Sequence, residues 1–439
     1  MRLDTARILK RFFFCERSLL VGMAAWLPSI RSLDIKIELP QLLWQNAQTA
    51  DALRKRVFEL RYPSRLMEED QDTPLITLCN EVQNAPSVPA LLLGVGRVML
   101  PALRDAYRDY LELSDPIADG PTHRFLALAL REKEAQVQTI NHWAEDELAQ
   151  DAAVCEAARL WTRALADRLY ALGGIGLDPD IPTVEIEPLP GAQPYRIPDT
   201  PGRDPRFWPC RFYWPDIIDP SFPYGEGIGL QLRAAISHLN EVWAVETGGI
   251  ILSAFADVLP WEWIADAARW TYDEARHCRM GYDRLLSWGF EPAELPLGTY
   301  IYDSVAGHDP IYRIGMLFFF ETKNIKNKPK RADLLRAYGD SVSEHDMSFD
   351  WADETIHAGY GKYWLMELLK IRGESTDAYT DIRETCCSLV ETCVQTVTPE
   401  EITAIKQIAH NLVTKASTYP CAVRTDRMEQ PQRYEEAVS

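Results

Sequence analysis

No run of apolar residues in this chain approaches the ~18 that a membrane span needs, so a membrane-embedded protein is not expected. Cysteine is sparse, with nine residues scattered over 439 positions and no Cys-x-x-Cys pair. Scattered, odd in number and low in density, they predict a reduced, cytoplasmic protein with mostly buried thiols. Basic residues are in deficit: 46 Lys and Arg against 65 Asp and Glu leave a net charge of −19. A nucleic-acid partner needs a basic face able to neutralise several phosphates, and none is expected here. Gly94-Val95-Gly96 lacks a third glycine and a preceding strand, which excludes dinucleotide binding. Period-two strand patterns are scarce throughout. One apolar stretch, Ser18 to Leu27, follows Lys10 and Arg11 and imitates a signal peptide. Asp4 and Glu16 interrupt its flanks and Pro28-Ser29-Ile30 is a poor cleavage site, so a buried helix is expected instead.

What remains is an ordinary globular composition, 46% apolar and 25% charged, on a chain too long for one core. Residues 1–173 read as an N-terminal helical domain, expected to be metal-free. Pro40 marks a helix start over 39–61, further helices cover 88–113, 121–148 and 151–172, and Gly173-Gly174 closes the last. Residues 174–225 carry twelve prolines, a density incompatible with helix, yet Phe207, Trp208, Phe212, Tyr213 and Trp214 are too aromatic for a solvated linker. An ordered extended connector is predicted, either covering a pocket mouth or strapping two halves together. Residues 226–372 return to long helices at about 228–257, 260–288, 310 onward with a break near Pro329, and 342–371, which ends at Gly373. Residues 373–439 hold two more amphipathic helices and a polar tail after Pro420.

Within 226–372 one pattern is written twice. Glu241, Glu274 and His277 recur as Glu321, Glu354 and His357, at the same offset each time (321−241 = 354−274 = 357−277 = 80). Positions i and i+3 share a helix face, so each Glu-x-x-His points both side chains one way. Each lies 33 residues beyond its upstream Glu (274−241 = 354−321 = 33). An antiparallel hairpin with arms of ~15 residues returns such positions to one level, at 1.5 Å rise per residue. Two facing hairpins then converge four carboxylates and two imidazoles, a ligand set for two cations. Asp273 and Asp353 precede the two motif glutamates. A metal-bound His usually donates its second N–H to a carboxylate, so Asp273 is expected to orient His357, and Asp353 to orient His277. The competing reading is that all these groups are solvated surface charges.

Other residues carry two readings. Glu246 competes with Glu241, and the repeat leaves it as a pocket or supporting group, or a solvated carboxylate. Lys323, Lys326, Lys328, Lys330 and Arg331 form a basic run beside Glu321: an anion-recognising mouth, or, the favoured reading, charge balance at a solvated helix break. Trp243, Trp270, Phe318, Phe319, Phe320, Phe349 and Trp351 are expected mainly as core, some of it shared with a substrate wall. Tyr272 and Tyr360 are either redox-active neighbours of the metals or simply packed. Capping or surface roles are expected for His345 and Asp346. In the N-terminal half Gln48-Thr49-Ala50-Asp51 falls where a Glu-x-x-His would stand if that half were a decayed copy of the bundle; a plain structural domain is the stronger reading.

Asp273-Glu274-Ala275-Arg276-His277 resembles the Asp-Glu-x-Arg-His motif of soluble di-iron oxygenases in the ferritin-like di-iron carboxylate superfamily. Residues 228–372 are similar to an uncharacterised ferritin-like family known only as a domain of unknown function. His238-Leu239-Asn240-Glu241, Phe320-Glu321-Thr322-Lys323-Asn324, Arg336-Ala337-Tyr338-Gly339-Asp340 and Asp353-Glu354-Thr355-Ile356-His357 carry the likeness. In the last of these Ile356 stands where the oxygenases have Arg. The resemblance implies an all-α protein, a ferritin-like four-helix bundle with added N- and C-terminal helices. It implies two iron ions, with manganese or a mixed pair using the same ligands. The expected activity is O2-dependent oxidation of a small organic substrate by hydroxylation, desaturation or oxidative cleavage. A separate electron donor is expected, since no flavin or iron–sulfur motif is visible, and a homodimer is compatible with the chain. The alternatives are a non-catalytic metal or ferroxidase protein and a structural helical protein with a vestigial site.

Overall fold

A computed structural model describes residues 2–149, 152–178, 181–182 and 188–418. The fold is an all-α helical bundle; among the described residues the only strand is a two-residue parallel pair, Trp208–Pro209 with Pro296–Leu297. No helix among them is long and apolar enough to cross a membrane. The chain forms two compact units that interleave in sequence. One comprises 1–29, 38–197 and 252–268, the other 30–37, 198–251 and 269–439. The proline-rich connector expected over 174–225 is therefore divided between them near residue 197. The polar tail expected after Pro420 lies outside the described residues.

In the first unit, helix α1 (Arg2–Ala25) buries the stretch that imitates a signal peptide, Leu19, Leu20, Met23 and Ala24 included. Helix α2 (Leu33–Leu60), whose residues up to Ile37 belong to the second unit, starts seven residues before Pro40, so Pro40 sits inside it and is not its start. The start is set by Ser32, whose hydroxyl accepts from Ile35 N at 3.4 Å. Helices α3 (Thr73–Glu81), α4 (Val88–Gly94), α5 (Leu100–Leu113), α6 (Gly120–Leu148) and α7 (Ala152–Ala171) follow, with a π-helical turn at Val95–Met99 joining α4 to α5. Leu100, Leu103, Ala106, Tyr107 and Tyr110 repeat at helical spacing and place one face of α5 on α6. The unit's buried polar centre is not at Gln48–Asp51. It is an ion pair of Lys133 and Glu16 at 2.8 Å, closed by Asn46, Gln136 and Tyr107. Every charge there has a protein partner.

The second unit contains α8 (Ile228–Leu239), most of α9 (Val242–Ala254) and, from residue 269, α10 (Trp261–Ser287). Short α11 (Tyr300–Ser304) leads to α12 (Ile311–Asn324), a 3-10 turn, α13 (Lys328–Ala337) and α14 (Ser341–Ile371). Helix α14 packs on α12 and α13; α15 (Tyr379–Gln395) packs on α12, and α16 (Pro399–Thr418) on α8. Asp340 caps α14 by accepting from Ser343 N at 3.1 Å, and Gly373, with φ of 71°, ends it. The first long helix expected here is broken at Asn240–Glu241. Asn240 turns its amide to the backbone instead, accepting from Gly298 N at 2.7 Å and donating to Pro296 O at 3.1 Å.

Two glycines bring the helices close. A Cβ at Gly281 would lie 2.3 Å from Leu239 N and 2.5 Å from Ala235 O, so α10 meets the backbone of α8 there. A Cβ at Gly361 would lie 2.8 Å from Phe318 Cβ, which brings α14 onto α12. Each glycine is one turn beyond a motif histidine, and they too are 80 residues apart (361−281 = 80).

Candidate metal centre

All six repeat residues lie in the second unit, and five of them meet at its centre. His277 and His357 are fully buried, 6.1 Å apart between ring centroids. His277 Nδ1 lies 3.3 Å from Glu241 Oε2 and 3.8 Å from Glu274 Oε2. His357 Nδ1 lies 3.1 Å from Glu274 Oε1 and 3.5 Å from Glu321 Oε1. Glu274 thus faces both imidazoles, one oxygen to each. Two groups with metal-ligand spacing follow: Glu241, Glu274 and His277, and Glu274, Glu321 and His357.

The aspartates stand as the motif order predicts. Asp353 Oδ2 is 3.3 Å from His277 Nε2, and Asp273 Oδ2 is 3.3 Å from His357 Nε2. Both aspartates are held by guanidinium groups of α10. Arg276 Nη1 donates to Asp273 at 2.7 Å and to Asp353 at 2.9 Å, and Arg269 Nε donates to Asp273 at 2.7 Å. One helix supplies both cations, so neither aspartate depends on an arginine at 356, and Ile356 points outward, 47% exposed.

This geometry tests whether a cation fits. With each Nε2–H committed to an aspartate, each Nδ1 presents a lone pair to carboxylate oxygens that carry lone pairs of their own. Both Nδ1 atoms are buried and make no hydrogen bond, as do Glu241 Oε2, Glu354 Oε2 and Asp350 Oδ1. Such an array needs protons or cations between its members. Burial alone would lower both imidazole pKa values, but the surrounding carboxylates override it and raise them well above the usual range. Burial, and Glu274 beside it, push Glu321 up to about 7. Burial and the neighbouring Asp350 push Glu354 well above the carboxylate range. These are signs of a site with too little positive charge.

Glu354 departs from the expected symmetry. It lines the adjoining cavity, but its Oε1 pairs with the Lys328 ammonium. Lys328 also pairs with Asp350, which is fully buried and 3.6 Å from His277 Nδ1. Lys328 is only 4% exposed, so this member of the basic run is part of the centre, not of a solvated surface. With all five carboxylates ionised and both imidazoles neutral, as ligands would be, one ammonium leaves four negative charges for two divalent cations to balance. Asp350 further joins His238, at 3.1 Å from Nε2, and a third group with ligand spacing is His238, Glu241 and Asp350. Trp270 Nε1 donates to both Glu274, at 3.0 Å, and Glu321, at 3.2 Å, and its ring stacks on His357. Neither Asp350 nor Trp270 belongs to the six repeated ligands. The repeat itself could have revealed them, because each stands four residues before a motif Glu and seven before its His (350−270 = 80).

Glu246 does not support the ligands. Its Oε1 is held by Lys36 and Arg203, a separate buried ion cluster in the same unit. Burial pulls Lys36 down to about 8. Phe349 and Trp351, expected in the core, are 49% and 43% exposed, whereas Trp243, Trp270, Phe318 and Phe319 are buried. Asp346 is buried rather than at the surface, and His345 is exposed. Tyr360 lies 6.5 Å from His357 and 6.2 Å from Trp270, while Tyr272 packs under Arg276.

A cavity of about 550 Å³ opens onto Glu241, Glu274, Glu321 and Glu354. Tyr213, Asp216, Ile217, Pro220 and Tyr224 of the proline-rich segment form part of its wall, so the ordered, aromatic stretch covers a pocket.

Residues 217–399 match the family described as "Protein of unknown function (DUF455)". The match spans somewhat less than half of the chain and contains every ligand candidate of the centre. No curated protein and no solved structure matches the chain.

Proposed function

We propose that the second unit is a ferritin-like di-metal carboxylate enzyme that uses O2 to oxidise a small organic molecule. The observation that carries the reading is the pair of buried, unpartnered imidazole nitrogens, each facing carboxylates and each backed by an aspartate. Glu241, Glu274 and His277 would hold one cation; Glu274, Glu321 and His357 would hold the other, with Glu354 and Asp350 in reach. Iron, manganese or a mixed pair suits this nitrogen and oxygen set. Such a pair supplies O2 activation when bound, and electrons come from a separate donor. The chain's own residues do the rest. Asp273 and Asp353 fix the imidazole tautomer and aim. Trp270 holds Glu274 and Glu321 in register through one shared N–H. Lys328 draws Glu354 aside and sets the net charge that the ligands present. Burial of both imidazoles excludes water from the reacting end of the cavity.

The test is O2 uptake by the reduced, iron-loaded full-length protein. Uptake that is lost in Glu274→Ala and His357→Ala is expected. Bound metal without O2 uptake would replace this reading with metal storage or sensing; absence of metal would leave a structural role.

A further inference from the structure

The cavity that opens onto the metal-facing carboxylates is not an apolar slot. Arg233 lines it and is buried, 8% exposed. Its Nε donates to Asp216 at 2.9 Å, but its Nη1 makes no hydrogen bond. A buried guanidinium nitrogen left without an acceptor costs desolvation free energy that a ligand oxygen would recover. Arg331 lines the same cavity and lies 4.6 Å over the ring of Tyr224, the ring that Arg233 approaches at 5.1 Å. Lys323, also in the wall, lies 5.1 Å from the Phe319 ring. Among the described residues neither Arg331 nor Lys323 has a carboxylate partner. The carboxylates of the wall are Asp216, already committed to Arg233 Nε, exposed Glu391, and the metal-facing Glu241, Glu274, Glu321 and Glu354. Three cationic side chains thus line the same cavity as the metal-facing carboxylates, and two of them approach one ring, that of Tyr224.

We infer that the cavity takes a small organic anion whose carboxylate or phosphate is held by Arg233 and Arg331 beside Tyr224. Its apolar body lies along Tyr213, Tyr300, Trp243 and Phe320 toward Glu241 and Glu321. The volume of about 550 Å³ suits a molecule of metabolite size. A planar guanidinium pair recognises either oxyanion bidentately, so the shared chemistry is a terminal oxyanion on an apolar or aromatic body. This deepens the proposed function, resting on it only for which end of the molecule would be oxidised.

The experiment is calorimetric titration of the full-length, metal-analysed protein with phenylacetate, phenyl phosphate and the neutral phenylacetamide. At least one anion is expected to bind about tenfold or more tighter than the amide, a preference reduced to roughly threefold or less in Arg331→Gln. Which anion binds separates a carboxylate from a phosphate ligand. Arg331 is half-buried, so its substitution is expected to leave the fold intact, which circular dichroism checks, whereas Arg233→Gln serves as a second variant if folded. A preference that persists in Arg331→Gln, as it would for an anion bound directly to metal, overturns the inference. So does equal binding of amide and anions. Metal content and O2 uptake measured on the same samples keep the two proposals apart. Anion selectivity without metal supports this subsite and removes the oxidative reading; metal and O2 uptake without selectivity do the reverse.

Discussion

At the scale of single residues, the centre depends on which atoms are left without partners. The histidines spend one nitrogen on an aspartate and offer the other inward, so weakening the aspartate should weaken the metal. Asp273→Asn and Asp353→Asn are expected to lower metal affinity by roughly 10–100-fold without loss of helicity, measured by chelator competition. Lys328 supplies an opposite test. Lys328→Met leaves Asp350 and Glu354 buried without their cation, and metal-free protein should lose on the order of 3–5 kcal/mol in denaturant unfolding. Metal should stabilise the variant more than it stabilises the parent, because two further carboxylates become available to it. The cross-bundle pairing of Asp273 with His357 and of Asp353 with His277 was legible in the sequence, since an Asp next to each Glu-x-x-His has a definite physical task. Lys328 was not, because a lysine in a basic run between two helices looks solvated until the acceptors that bury it, 22 and 26 residues further on, are known to lie above it (350−328 = 22, 354−328 = 26).

At the scale of helices, spacing told more than boundaries did. The i, i+3 ligand pairs and the 80-residue offset depend only on helical periodicity, which survives any error in where a helix starts. The break at Asn240–Glu241 depends on a tertiary contact, the amide of Asn240 with Gly298, and no local propensity reports it. Pro40 misleads for a related reason: it usually starts a helix, but Ser32 caps this one earlier. The paired glycines are where the helices set the ligand spacing. Gly281→Ala would thrust a methyl into the α8 backbone and is expected to destabilise by about 1–3 kcal/mol while lowering bound metal. Gly359→Ala, with nothing within 4 Å and on the same helix as Gly361, should instead be neutral or stabilising by about 0.5–1 kcal/mol. Thermal unfolding and metal analysis of the two variants decide whether close helix approach is what holds the ligands at range.

At the scale of the whole molecule, the two units meet the same problem in different ways. The first closes a buried glutamate with its own lysine, amides and tyrosine; the second gathers around its two motif histidines more carboxylates than Lys328 can neutralise. That imbalance was foreshadowed by the doubled motif, while the cavity wall was only half legible. The aromatic residues of the proline-rich segment suggested order, but their position over the ligands required the folded chain. Cations that bind the folded centre alone should stabilise it by mass action, about 4 kcal/mol at a thousandfold excess over Kd, so chelation should lower the unfolding temperature. The most direct measurement is the number of metal ions per chain in protein purified from iron-replete cells, for the parent and for Glu274→Ala. If Glu274 bridges two cations, the parent carries about two and the variant fewer than one. A parent without metal, or a variant that retains the full complement, would contradict a di-metal centre at these residues.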